Sequence, residues 1–128
     1  MENDKTTWGE GPWQHEPDKL QFKHMRFDCE LLRARAGHWC GYVDIPKPHI
    51  YHGKGYDDIP AEVHGGLTYA GPNGDAWRIG FDCAHLGDLS PKYDQSWDCD
   101  ATYKDINYVK AETMRLAAFL EDAIGDTP

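Results

Sequence analysis

The chain has 128 residues, with 22 Asp and Glu against 13 Lys and Arg and a formal net charge of −9. An apolar fraction of 40%, a charged fraction of 27% and five Trp, seven Tyr and four Phe describe one ordinary globular domain with a real core and exclude a disordered chain. The acidity excludes non-specific binding of a long nucleic acid, whose phosphates would be repelled.

The same acidity fits three roles: plain solubility, a small anionic ligand held by a local cluster of donors, or an inhibitor docked on a basic host protein. No apolar run approaches the ~20 residues that span a bilayer. The opening stretch, MENDKTTWGEGPWQHEP, shows no apolar signal region. A cytosolic protein without a membrane partner is therefore expected. Cys29, Cys40, Cys83 and Cys99 include no CxxC pair. Free and mostly buried thiols are predicted, without zinc ribbon or disulfide framework.

Residues 1–19 are polar and rich in Gly and Pro and read as a tail ahead of a single α+β domain over 20–128. Trp8 and Trp13 suggest that part of the tail lies down on that domain. Residues 20–45 read as a β-hairpin. Phe27, Cys29 and Leu31 recur at every second residue after Lys23 and Met25, with His24, Arg26, Asp28 and Glu30 on the other side. Ala34–Gly37 supplies a turn, and His38–Val43 returns as an aromatic-rich strand. A helix over Asp18–Ala34 is the competing reading, because LLRARA has good helix formers.

Residues 46–62, PKPHIYHGKGYDDIPAE, hold three Pro and two Gly and cannot form a regular element. The stretch is either an Ω-loop packed down by its own aromatics or a lid over a ligand. A second hairpin follows. Leu67–Ala70 is one strand, Gly71-Pro72-Asn73-Gly74-Asp75 the turn, and Ala76–Phe81 the other strand. Residues 89–101 form a turn-rich connector.

Near the end, Ile106, Val109, Thr113, Leu116, Leu120 and Ile124 keep helical spacing, with Ala117 and Ala123 beside them. A helix over Lys104–Ile124 is predicted, capped by Thr102 or Asp105 and ended by Gly125, with Glu112 and Asp122 on its polar side. The expected fold class is α+β: an antiparallel sheet of four to five strands, in two hairpins, covered by one long C-terminal helix.

The chemistry gathers at the two open ends of the second hairpin. At one end stands His64-Gly65-Gly66. Paired glycines allow positive φ and can aim successive N–H groups at an anion, while His64 can donate to a phosphate or act as general acid or base. A glycine bulge entering a strand is the structural alternative. At the other end, Asp82, His85 and Asp88 sit three residues apart. They suit a base with its orienter, or a divalent metal, or simply carboxylates tied to turn backbone. Cys83 between them reads as structural, since neighbouring carboxylates oppose a thiolate.

His49 and His52 in the 46–62 loop join His64 and His85 in the suspected loops. The expected pocket has His64, Asp82 and His85 as catalytic groups. Its ligand is held by His64, Gly65, Gly66, His49, Tyr51, Lys54 and Tyr56. Trp39, Tyr51 and Tyr56 are candidates to stack on a base. Asp82, His85 and Asp88, with His64 beside them, would be the metal set if a divalent metal is used.

The strings HWCGYVDIP, YHGKGYDDI, VHGGLTY, WRIGFDCAHLGD and VKAETMRLAAFL together resemble a group of small bacteriophage-encoded proteins, over roughly residues 27–121. HGGLTY and GFDCAH carry most of that specificity. The resemblance implies a phage setting and no particular activity. Small phage accessory proteins counter host defences by binding or cleaving nucleotide signals or by capping a defence protein. The resulting expectation is an anti-defence accessory protein that binds a small phosphorylated ligand or nucleotide, either sequestering or hydrolysing it. A protein–protein inhibitor of a host factor and a metal-dependent hydrolase stand as alternatives.

Overall fold

In a computed structural model, which describes residues 4–93 and 101–125, the chain forms a five-stranded antiparallel sheet with one long helix on one face. The strands are β1 (Lys19–His24), β2 (Phe27–Arg33), β3 (Trp39–Ile45), β4 (Tyr69–Asn73) and β5 (Ala76–Asp82), in the spatial order β1-β2-β3-β5-β4. The helix, α1, is Ile106–Gly125. Its start lies two residues inside the expected one, and Asp105 is the cap, its Oδ1 accepting the Tyr108 N–H at 2.8 Å. The α+β fold read from the sequence is the fold of the protein.

Alternation decides which side of each strand meets α1. Phe27, Cys29 and Leu31 on β2, Trp39, Val43 and Ile45 on β3, and Ile79 and Phe81 on β5 point inward and are buried. Val109, Leu116, Ala117 and Leu120 of α1 close the core from above. Each large apolar side chain buried there contributes about 1.5–3 kcal/mol. Gly41 on β3 sets how closely the helix approaches: a Cβ there would overlap Thr113 Oγ1 and the Phe81 ring. Thr113 is fully buried, and its hydroxyl donates to the Val109 carbonyl one turn back at 2.8 Å.

Three expectations change. The strand predicted to run through residues 23–31 is two strands joined at Met25–Arg26, with His24 paired to Phe27. Met25 takes φ +56 there, a left-handed conformation that no Gly or Asn announces. Gly71 and Pro72, assigned to the second turn, belong to β4, and the turn is Gly74–Asp75. Pro fits because β4 is an edge strand, where a missing N–H breaks no ladder.

The described part of the tail is the third change, being part of the domain rather than an appendage. Trp8 and Trp13 are buried. Glu16 collects donors from four places: Arg33 Nη2 at 3.0 Å, Trp39 Nε1 at 3.2 Å, the Tyr103 hydroxyl, and the Ile106 N–H at 2.9 Å. It thereby ties the N-terminal segment to β2, β3 and the first turn of α1. Burial raises its carboxyl pKa, but these donors outweigh that and hold it below the usual glutamate value. Arg33, whose side chain is fully buried, also binds Asp18 at 2.8 Å and lies over the Trp39 ring.

The sheet face away from α1 is polar. Arg78 bridges Asp44 and Glu30, with Nε–Oδ1 at 2.8 Å and Nη1–Oε1 at 2.7 Å. Among the described residues Cys29, Cys40 and Cys83 are free thiols, while Cys99 and most of the expected 89–101 connector lie outside them. No helix among the described residues is long and apolar enough to cross a membrane.

Candidate functional site

The second hairpin does bring its two flanking stretches together, at the end of β5 and beside the first turns of α1. His64 Nε2 lies 2.7 Å from Asp88 Oδ2 and 2.9 Å from Oδ1. With the carboxylate ionised, Nε2 carries the proton and donates. Nδ1 is then the acceptor, and it meets the Tyr108 hydroxyl at 2.8 Å. The phenol and imidazole rings stand perpendicular, 5.4 Å apart. Asp88, His64 and Tyr108 therefore form one hydrogen-bonded chain of carboxylate, imidazole and hydroxyl.

Asp88 is fixed on all sides. Its Oδ2 also accepts the His85 N–H at 3.0 Å, and Lys104 Nζ lies 3.0 Å from Oδ1. Burial raises its pKa, but the bonds from His64, the His85 backbone and Lys104 bring it below the ordinary carboxylate value. Lys104 is placed by the Thr102 carbonyl and hydroxyl. Thr102 is in turn bridged to Asp88 through the Leu89–Thr102 and Thr102–Gly87 backbone bonds.

His85 belongs to the cluster through packing. Its ring centroid is 6.0 Å from that of His64, and Nε2 lies 3.3 Å from Asp82 Oδ1. That distance allows an ion pair, but Nε2 is enclosed and makes no hydrogen bond of good geometry. Asp82 is turned mainly to its own surroundings, accepting the Ala84 N–H at 3.1 Å and the Thr68 hydroxyl at 3.0 Å. His85 faces Gly65 so closely that a Cβ at 65 would overlap the imidazole.

Gly65 and Gly66 take φ +69 and +82, as the paired glycines suggested. Their N–H groups do not form the expected anion nest. The Gly66 N–H donates to the Val63 carbonyl at 2.8 Å, and the neighbouring His64 N–H to Glu112 Oε1 at 2.8 Å. Gly65 serves instead to make room for His85. Glu112, assigned to the outer side of the helix, is buried at this junction and also takes Arg115 Nη1 at 2.9 Å.

The 46–62 loop does not join the cluster, which corrects the roles given to His49, Tyr51, Lys54 and Tyr56. His49 is buried at the far end of α1. Its Nε2 donates to the Leu120 carbonyl at 2.9 Å, and its Nδ1 accepts the Tyr51 N–H at 3.0 Å, so both ring nitrogens are satisfied. Tyr51 stacks on Phe119. From Tyr108 to Leu120 is twelve residues of helix, ~18 Å. Lys54 and His52 meet Trp77 and Asp75 at the turn end of the β4–β5 hairpin. Tyr56 is exposed and follows Gly55 in a short 3-10 turn. The loop is a strap packed by its own aromatics. Trp39 is fully buried and not available for stacking.

The metal set is corrected as well. Among the described residues no three His, Cys, Asp or Glu side chains are arranged to hold a metal ion. The reason is visible at Asp88, which meets His64 through its ring but His85 only through the backbone. Cys83 is a buried thiol whose pKa is pushed far up by burial and then by Asp88, as a structural role requires.

Tyr108, Lys104, Glu112 and His38 complete the neighbourhood and were missed. Tyr108, Glu112 and Arg115 share one face of α1 at i, i+4 and i+7, a polar stripe that periodicity alone assigns to solvent. His38, beside Ser90, is drawn below its ordinary pKa by burial, with Asp82 and Asp88 acting against that. No family model matches the chain, and no curated protein or solved structure matches it either.

Proposed function

We propose that the chain is a phage-type accessory protein of the host cytosol that binds a small phosphorylated molecule or nucleotide beside the first turns of α1. It then acts on that ligand by proton transfer through His64. The observation that supports this reading above the others is the Asp88–His64–Tyr108 chain. It fixes the imidazole in one tautomer and aims its lone pair at a hydroxyl. The Asp88 and His64 side chains are 3% and 16% exposed, and Tyr108 is 38% exposed, so the chain leads from the interior to the surface.

The phosphorylated class rests on Arg115, an exposed cation at this end of an acidic protein, Lys104 being already held by Asp88 and Thr102. Arg115 is largely exposed and keeps guanidinium donors beyond the one given to Glu112. His85 with Asp82 positions the glycine turn that carries His64. The phage setting and the anti-defence role rest on the HGGLTY and GFDCAH strings.

The test uses chromogenic 4-nitrophenyl phosphoesters for turnover and calorimetry with nucleotides for binding. His64→Ala lowers turnover by ~10²–10⁴-fold, the range typical of a lost general base. Asp88→Asn lowers it in the same direction. If both variants stay folded by circular dichroism and neither turnover nor binding changes, the site is not here.

A further inference from the structure

We infer that Tyr108 is the nucleophile of this site, and that it takes up a phosphoryl group covalently in the course of the reaction. The inference rests on the reading above of a phosphorylated ligand acted on through His64, and names the atom that attacks. Three features of the geometry carry it.

The first is direction. Nε2 of His64 carries the ring proton and donates its N–H to Asp88, so Nδ1 has none to give, and the 2.8 Å bond to Tyr108 runs from phenol to imidazole. A proton leaving Tyr108 goes to His64, and Asp88 then faces the imidazolium. The second is position. Tyr108 is the exposed end of the chain, the member that a ligand meets first. Thr68, a second hydroxyl at this end of the hairpin, gives its hydrogen to Asp82 rather than to a histidine. The third is the fate of charge. A general acid would be left as a phenolate, a state that burial first and then the charges of Glu112 and Asp88 disfavour, holding the phenol above its ordinary pKa. A nucleophile avoids that state, because its oxygen bonds to phosphorus as the proton departs.

The step balances without any further reagent than water. Tyr108 Oη bonds to phosphorus while the bond from phosphorus to the leaving oxygen breaks. The phenolic proton passes to His64 Nδ1, and the leaving group departs as an anion on the side opposite Oη. Water then attacks the phosphotyrosyl group from that opposite side, and its proton goes to the released anion. The bond from phosphorus to Oη breaks, and His64 returns the phenolic proton to Tyr108. The substrate class is a phosphate ester or anhydride with a small leaving group.

The experiment mixes the full chain with bis(4-nitrophenyl) phosphate, quenches it in acid at successive times, and measures intact mass followed by peptide mapping. The expected result is one 4-nitrophenyl phosphoryl group, mapped to Tyr108, appearing with a burst of one nitrophenolate per chain. Tyr108→Phe removes the adduct and the burst and lowers steady turnover by at least ~100-fold, while circular dichroism and melting change little. If Tyr108→Phe keeps turnover that His64→Ala abolishes, the nucleophile is another group and this inference is overturned, while the acid–base reading stands. Absence of adduct and of turnover with both this diester and 4-nitrophenyl phosphate overturns the two together.

Discussion

Alanine at position 65 should destabilise the protein more than alanine at position 66, although both glycines have positive φ. At Gly66 the φ of +82 is the only obstacle, because nothing lies within 4 Å of an added Cβ. The left-handed backbone costs about 1–2 kcal/mol for a residue with a Cβ. At Gly65 the φ of +69 brings the same cost, and the added methyl also overlaps Nε2 and Cδ2 of His85. Displacing a packed ring adds about 1–3 kcal/mol. Gly65→Ala is therefore expected to lose about 2–5 kcal/mol and Gly66→Ala about 1–2 kcal/mol. Urea denaturation of both variants, alone and with His85→Ala, resolves the difference as a double-mutant cycle. In the His85→Ala background the Gly65→Ala cost should fall to that of Gly66→Ala, since the group it strikes is gone. Equal costs for the two glycines, or a Gly65→Ala cost indifferent to His85→Ala, would refute the packing of this turn described above.

Glu16→Gln should cost about 1.5–3 kcal/mol, because it weakens charge-assisted hydrogen bonds in a buried cluster while Asp18 keeps a counter-charge on Arg33. Because the folded pKa of Glu16 lies below its unfolded value, its contribution is complete above that unfolded value and is lost as pH falls through the folded one. Acid titration followed by fluorescence of the tail tryptophans should show this loss in the wild type, with a shallower slope in Glu16→Gln. His49→Ala should lower the melting temperature by leaving the Leu120 carbonyl and the Tyr51 N–H without partners, yet leave 4-nitrophenyl phosphoester turnover unchanged. A large loss of turnover in the folded variant would return the strap to the site. Arg78→Ala exposes Glu30 and Asp44 to each other on the open sheet face and should cost about 2–4 kcal/mol in denaturant, again without effect on turnover.

How much could be read from the chain alone follows from the range of each signal. The helix was legible because Val109, Thr113, Leu116 and Leu120 repeat on one stripe, and a stripe is a local property. β2 and β3 were legible through alternation for the same reason. The turn at Met25–Arg26 was not, because its left-handed residue is a methionine, held there by the pairing of β1 with β2.

The site divides along the same line. A tight hairpin forces its open ends together, so local sequence was enough to bring His64-Gly65-Gly66 beside Asp82–Asp88. Which atoms then meet was decided by the packing of α1. The helix delivers Tyr108 to the far nitrogen of His64 and Glu112 to its backbone, across 44 and 48 residues of sequence. It also holds His49 at its other end, and so separates two histidine loops that composition had suggested were one. Periodicity records which face of an element is buried. It carries no record of how far along that face a partner from another part of the chain will lie, and that position gave His64 a carboxylate and a phenol as partners and His49 the carbonyl of Leu120.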